Sequence, residues 1–195
     1  MKLRFRNIHE TDLKMILDWR TMPEVSAYMY TDFQPDMERQ RQWFRTISRD
    51  PCRVDWIIRA DGEDLGVVGI SNIDATNRRA AWAYYLGSPN TRGKGIGKAV
   101  ELNVLNYVFT VLNLNKLCCE VFVSNDKVIK IHEKLGSRIE GTRREQVFKN
   151  GRFHDIVEMG ILRSDWEQGI RNQVEFVQGE FETPEKEVAR VVDHV

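Results

Sequence analysis

The sequence lacks any hydrophobic run long enough to cross a bilayer, and its amino terminus alternates charged with apolar residues where a signal peptide would be continuously apolar. It also lacks an excess of either sign of charge, because 29 lysines and arginines balance 29 aspartates and glutamates. This balance argues against a general nucleic-acid binder and confines any basic surface to local segments. We therefore expect a cytoplasmic protein that binds neither membrane nor nucleic acid.

Cysteine and histidine are scarce and scattered. Cys52, Cys118 and Cys119 form neither a C-x-x-C pair nor a disulfide framework, so we expect reduced, structural thiols. The four histidines show no spacing typical of a zinc or iron site, and we expect no metal.

A chain of 195 residues suits one domain. We predict a domain over residues 1–166 and a charged tail over 167–195 that is either disordered or an oligomerisation arm, as in a homodimer. Apolar periodicity predicts helices at 10–19, 35–51, 96–112 and 125–135. Alternating and apolar runs predict strands near Leu3 and at 54–59, 65–73, 80–86, 117–123, 139–148 and 153–162.

The most informative segment joins the strand ending at Leu86 to the helix that follows. Between them lies a basic turn with alternating glycines: Arg92, Gly93, Lys94, Gly95, Ile96, Gly97 and Lys98. Glycines let backbone N–H groups crowd around an anion, and the helix adds its positive dipole end. The segment fits neither a Walker loop nor the dinucleotide fingerprint. The alternative to an anion site is a basic loop that is simply solvated. We therefore predict a pyrophosphate site.

The order strand, Arg-x-x-Gly-x-Gly, helix, strand and Asn-headed helix resembles the GNAT superfamily of acyl-CoA-dependent N-acetyltransferases over residues 1–166. The resemblance implies a mixed α+β fold, in which a mostly antiparallel twisted sheet splays at the cofactor site and is flanked by helices. It implies acetyl-CoA held by residues 92–98, a backbone N–H near Leu86 on the thioester oxygen, and Asn125 on the pantetheine arm. Helix capping is the alternative role of Asn125.

The later part of the chain resembles the branch of the superfamily that contains ribosomal-protein acetyltransferases, through Gly151, Asp155 and Trp166. Within it the chain resembles the nucleotide-sugar N-acetyltransferases of pseudaminic acid biosynthesis, through segments 18–20, 29–30, 85–98 and 127–136. This resemblance implies acetylation of the 4-amino group of a UDP-linked 4-amino-4,6-dideoxy sugar. The alternatives are a protein N-terminus as acceptor, or an acetyl-CoA-binding module without turnover.

Two side chains are candidates for proton transfer. His132 stands where the family often has the tyrosine that protonates the departing thiolate, and an imidazole can do the same near neutral pH. The alternative is that His132 only forms a hydrogen bond on a helix face and takes no part in proton transfer. Glu120 either accepts the proton of the amine or forms a structural ion pair or surface contact. No cysteine stands at the expected carbonyl position, so we expect direct transfer in a ternary complex.

We predict that aromatic side chains stack on the uracil or sugar ring of the acceptor and that an arginine pairs with its diphosphate. The candidates are Trp19, Arg20, Met29, Tyr30, and Tyr84 or Tyr85, and core packing is the alternative for Trp19 and Tyr84. Trp43, Trp56, Trp82 and Trp166 are assigned to packing alone.

Overall fold

A computed structural model describes residues 1–31, 34–91, 94–171 and 177–189. Within these ranges the strands form one open sheet of eight, in the order β6-β7-β5-β4-β3-β2-β1-β8. Neighbours are antiparallel except β4 with β5 and β1 with β8, which are parallel. The strands are β1 (Leu3–Asn7), β2 (Val54–Ala60), β3 (Glu63–Asp74), β4 (Arg79–Leu86), β5 (Lys116–Phe122), β6 (Arg138–Lys149), β7 (Arg152–Leu162) and β8 (Glu180–Phe181).

Helices cover both faces of the sheet. They are α1 (Leu13–Thr21), α2 (Pro23–Ser26), α3 (Met37–Ile47), α4 (Ile96–Asn106), α5 (Asp126–Lys134) and α6 (Arg163–Asp165). The first predicted helix begins later than residue 10, because Glu10–Asp12 forms a 3-10 turn. A π-helical turn, Tyr107–Val111, continues α4. Among the described residues, no helix is long and apolar enough to span a membrane.

The core forms on both faces because the central strands alternate their side chains between them. From β2, Trp56 and Ile58 pack in the larger cluster, which includes Val100 and Val104 of α4. Ile57 points to the smaller cluster, which contains residues of α1 and α3. The sheet is therefore buried at its centre, as the nearly continuous apolar sequence of β2 predicts.

The sheet opens between β4 and β5. β4 pairs with β3 as far as Leu86, but it pairs with β5 only from Arg79 to Ala81. β5 continues to Phe122 alongside β7. The two strands therefore diverge toward their carboxyl ends and leave a cleft between them, which confirms the expected splayed mixed α+β fold.

The described part of the tail packs against the domain. β8 pairs with β1, and Phe181 stacks on Phe5 with ring centroids 4.0 Å apart and planes inclined by 6°. Trp56 donates its indole N–H to the carbonyl oxygen of Glu182 at 3.0 Å. Aromatic burial therefore anchors part of a segment whose composition is charged, and the role of the tail as an oligomerisation arm stays a prediction.

Candidate active site

A cavity of about 580 Å³ occupies the cleft where β4 and β5 diverge; we call it the central cavity. Its walls come from the second halves of β4 and β5, from segment 20–30 and from α5. A volume of this size suits a small-molecule site, since ligand pockets range from about 300 to about 1,000 Å³. Predicted site residues on its wall are Arg20, Met29, Tyr30, Tyr84, Leu86, Glu120, Asn125 and His132. The fold thus brings together residues more than 100 positions apart in sequence.

The glycine-rich turn leads into the amino terminus of α4. Gly95 is its N-cap residue, with φ of 68°, a left-handed conformation that favours glycine. Among the described residues other than its chain neighbours, none has an atom within 4 Å of where a Cβ would stand on Gly95. The N–H groups of Ile96, Gly97 and Lys98 have no acceptor within the helix.

Positive charge surrounds this helix end. Lys94 and Lys98 are exposed, so their ammonium groups can reach an anion at the turn. Free N–H groups, an open backbone and two cations fit the diphosphate of coenzyme A. Arg92 and Gly93, also predicted for this site, lie outside the described residues.

His132 is buried in the cavity wall and is paired with a glutamate. Its Nδ1 lies 2.8 Å from Oε1 of Glu101, and the two side chains are only 5% and 1% exposed. The indole of Trp82 meets the imidazole edge-on at 5.5 Å between ring centroids. The ring is therefore fixed on two sides.

Glu120 faces the cavity from β5. Its Oε2 accepts a hydrogen bond from the Tyr30 hydroxyl at 3.0 Å, and Arg143 Nη1 lies 3.9 Å from its Oε1. Burial and the Glu120 carboxylate together raise the pKa of Tyr30 well above its usual range, so the phenol stays protonated. With 41% of its side chain exposed, Glu120 remains accessible to an acceptor amine.

Trp19 does not belong to this site. It is 7% exposed and packs in the smaller core cluster with Ile16 and Ile57. Its ring also fills the space beside Gly87, where a Cβ would come within 2.1 Å of Trp19 Cγ. Trp19 therefore takes the core position that was its alternative role, because α1 turns this side chain toward the sheet.

Asn125 and Leu86 both lie on the cavity wall. Asn125 is the N-cap residue of α5, yet its side chain makes no capping hydrogen bond. Its amide is thus available for another partner, which is compatible with its predicted contact to the pantetheine arm. Leu86 ends the β3–β4 ladder opposite Gly66, at the open edge of the cleft.

The cysteines show no sign of a nucleophile. Cys119 lies on the cavity wall, but burial, with a further contribution from Glu101, raises the pKa of its thiol to about 12. A thiol in that state is a poor nucleophile, since the reactive form is the thiolate. Within the described ranges, no group of three or more His, Cys, Asp or Glu side chains is placed to hold a metal ion.

Sequence reasoning missed several residues of the site. Trp43 and Trp82 line the cavity although they were assigned to packing alone. Tyr85, by contrast, was a candidate beside Tyr84, and its hydroxyl lies in this wall region, buried and without a hydrogen-bond partner among the described residues. Glu101 had one available signal: it is a single acidic residue within the buried run from Ala99 to Leu105.

Comparisons with known proteins agree with this site. Residues 2–138 match the family model of the Acetyltransferase (GNAT) domain. Spermidine N(1)-acetyltransferase of Escherichia coli K12 is 28% identical over 165 residues, covering 84% of this chain and 88% of the relative. Acetyltransferase PseH of Campylobacter jejuni is 25% identical over 130 residues, covering 67% and 79%. The structure of Vibrio cholerae spermidine N-acetyltransferase with CoA and spermine has a TM-score of 0.79 and 26% identity, covering 85% and 98%.

The family model spans more than half of the chain, and the structural match is to a complex that contains CoA and spermine. The chain therefore belongs to the GNAT acetyltransferase family and is an acetyl-CoA-dependent N-acetyltransferase.

Proposed function

We propose that this enzyme acetylates the 4-amino group of a UDP-linked 4-amino-4,6-dideoxy sugar, as in pseudaminic acid biosynthesis. The observation that carries the proposal is the composition of the central cavity, whose wall contains several aromatic side chains and an arginine. The resemblance to the nucleotide-sugar subgroup and the match to PseH support it.

Each part of such an acceptor has a suitable group on the cavity wall. Trp43, Tyr28 and Tyr84 offer flat aromatic surfaces on which a uracil or sugar ring can stack. Arg20 offers a fork of N–H donors that matches a diphosphate. The buried Tyr85 hydroxyl, which has no partner among the described residues, offers a hydrogen bond to a sugar oxygen.

The reaction needs a polarised carbonyl, a neutral amine and a protonated leaving group. Acetyl-CoA supplies the acetyl group, activated as a thioester. The N–H near Leu86 donates a hydrogen bond to the carbonyl oxygen at the splayed edge of β4. Glu120 accepts the proton from the attacking amine, and His132 donates one to the departing sulfur. Cys119 takes no covalent part, because its thiol stays protonated.

A polyamine is the second candidate acceptor. Spermidine N-acetyltransferases match more of the chain, at slightly higher identity, than PseH does. The carboxylates of Glu24 and Glu120 lie on the cavity wall, where they can pair with ammonium groups. A homodimer remains our prediction for the assembly; a structure of the Vibrio cholerae enzyme is dodecameric.

The deciding experiment measures free-thiol release from acetyl-CoA with parallel acceptors: the UDP-linked amino sugar, spermidine, a ribosomal N-terminal peptide, and no acceptor. We expect release that depends on the amino sugar and falls when Arg20 is changed to Met. Release with spermidine alone would transfer the assignment to the polyamine class. Release with peptide alone would indicate an N-terminal acetyltransferase, and binding of acetyl-CoA without release would indicate a binding module.

A further inference from the structure

We propose that Glu101 is a positioning residue for His132, holding Nδ1 of the imidazole so that Nε2 is the ring nitrogen that serves the central cavity. The inference rests on the proposed function, in which His132 protonates the departing sulfur. Glu101 belongs to α4 and His132 to α5, so the pair joins the helix that starts at the glycine-rich turn to the helix behind the cavity.

The geometry of the pair, with Glu101 ionised, indicates one arrangement of protons. Glu101 Oε1 lies 2.8 Å from His132 Nδ1, a hydrogen-bonding distance. A carboxylate only accepts hydrogen bonds, so Nδ1 carries the proton and donates it. Nε2 is then free to exchange a proton on the cavity side, where His132 forms part of the wall.

Glu101 has no other described partner for its charge. Its side chain is 1% exposed, and its second oxygen, Oε2, receives no hydrogen bond from the described residues. Burying an unpaired carboxylate is costly, and the cost falls when a cation forms beside it. The imidazolium that forms when His132 takes up a proton is such a cation, and Glu101 Oε1 lies at hydrogen-bonding distance from it.

The neighbouring titratable groups do not take over this task. Burial, followed by the charge of Glu101, raises the pKa of Tyr84 above its usual range and that of Cys119 to about 12. Both side chains are therefore neutral near pH 7. Trp82 contacts the other side of the imidazole and limits its rotation.

Glu101→Gln tests the inference, because glutamine has nearly the same shape but no charge and can donate as well as accept. We expect kcat to fall about 10- to 100-fold, in the range found for groups that orient a reacting residue. The KM for acetyl-CoA should stay within about twofold of its original value, since Glu101 touches no part of the diphosphate site. Glu133→Gln, at an exposed position of α5 next to His132, is the matched control and should leave kcat unchanged.

His132→Phe and the double variant separate this inference from the proposed function. We expect His132→Phe to lose most of kcat and Glu101→Gln to add little to that loss, because no imidazole remains to be positioned. Normal turnover by His132→Phe would refute the acid role and the inference with it. Impaired His132→Phe beside a fully active Glu101→Gln would refute the inference alone.

A second measurement does not depend on turnover. Long-range proton–nitrogen NMR of the free protein reports which ring nitrogen of His132 carries the proton. We expect the proton on Nδ1 in the unsubstituted protein and a mixture of tautomers in Glu101→Gln. Identical spectra for the two proteins would overturn the inference, because Glu101 would then not determine the tautomer.

Discussion

Gly97 allows the start of α4 to pass close to Tyr84 of the cavity wall. The substitution Gly97→Ala is therefore a sensitive test of how tightly the site is packed. A methyl group at this position would lie 2.8 Å from the Tyr84 hydroxyl oxygen. Tyr84 cannot easily move away, because its ring stacks on Trp82 with planes inclined by 11°. Overpacking of this kind costs about 1–3 kcal/mol, whereas replacing a helical glycine with alanine gains about 0.5–1 kcal/mol. We expect Gly97→Ala to destabilise the protein.

The sign of the effect should reverse when the hydroxyl is removed. After Tyr84→Phe, the nearest atom to the new methyl group is the ring carbon Cζ at 3.7 Å, an ordinary contact distance. In that background Gly97→Ala should gain the helical preference of alanine, about 0.5–1 kcal/mol. The two substitutions should therefore couple by about 1–3 kcal/mol.

Urea denaturation of the four proteins at one pH measures this coupling through the free energy of unfolding. Gly95→Ala is the contrasting variant, because space is open there but φ is 68°. It should lose about 1–2 kcal/mol through backbone strain in either Tyr84 background. Equal effects of Gly97→Ala in both backgrounds would refute the steric reasoning.

Three further predictions concern parts of the fold away from α4. Burial opposes ionisation of Asp12, but hydrogen bonds from Arg6 and the His9 backbone outweigh it and hold the pKa of Asp12 below its usual value. A carboxyl with a lowered folded pKa adds stability above the unfolded value of 3.8, and that stability is lost as the pH falls through the folded pKa. Asp12→Asn should therefore be less stable near pH 7 and lose less stability than the unsubstituted protein between about pH 5 and about pH 2, measured by thermal unfolding at each pH. Phe181→Ala should lower the free energy of unfolding by about 2–4 kcal/mol, as seen in urea titrations, because the stack on Phe5 is lost; an unchanged midpoint would contradict the anchoring of the tail. Replacing all three cysteines with serine should leave thiol release from acetyl-CoA largely intact in a folded protein, since Cys119 is protonated; complete loss would point to an acetyl-enzyme.

Local sequence determined most of the helices and strands and the glycine-rich turn of the diphosphate site. The apolar spacing of α4 and the alternation of β3 and β4 depend on side chains a few residues apart, so their periodicity is readable without tertiary contacts. Glycines between a strand and a helix likewise indicate an anion site through backbone geometry alone. The family resemblance added the splay of the sheet, which no single strand encodes.

Tertiary structure decided which side chains reach the cavity. Trp19 and Trp43 lie in similar amphipathic helices, yet Trp19 packs in the core and Trp43 lines the cavity, because the docking of α1 and α3 sets the direction of each ring. The charged tail joins the sheet only because Phe181 finds Phe5 and Trp56, which lie more than 100 residues away. By sequence Glu101 is only a single acidic residue in an otherwise largely apolar run, and the packing of α5 across α4 makes it the buried partner of an imidazole.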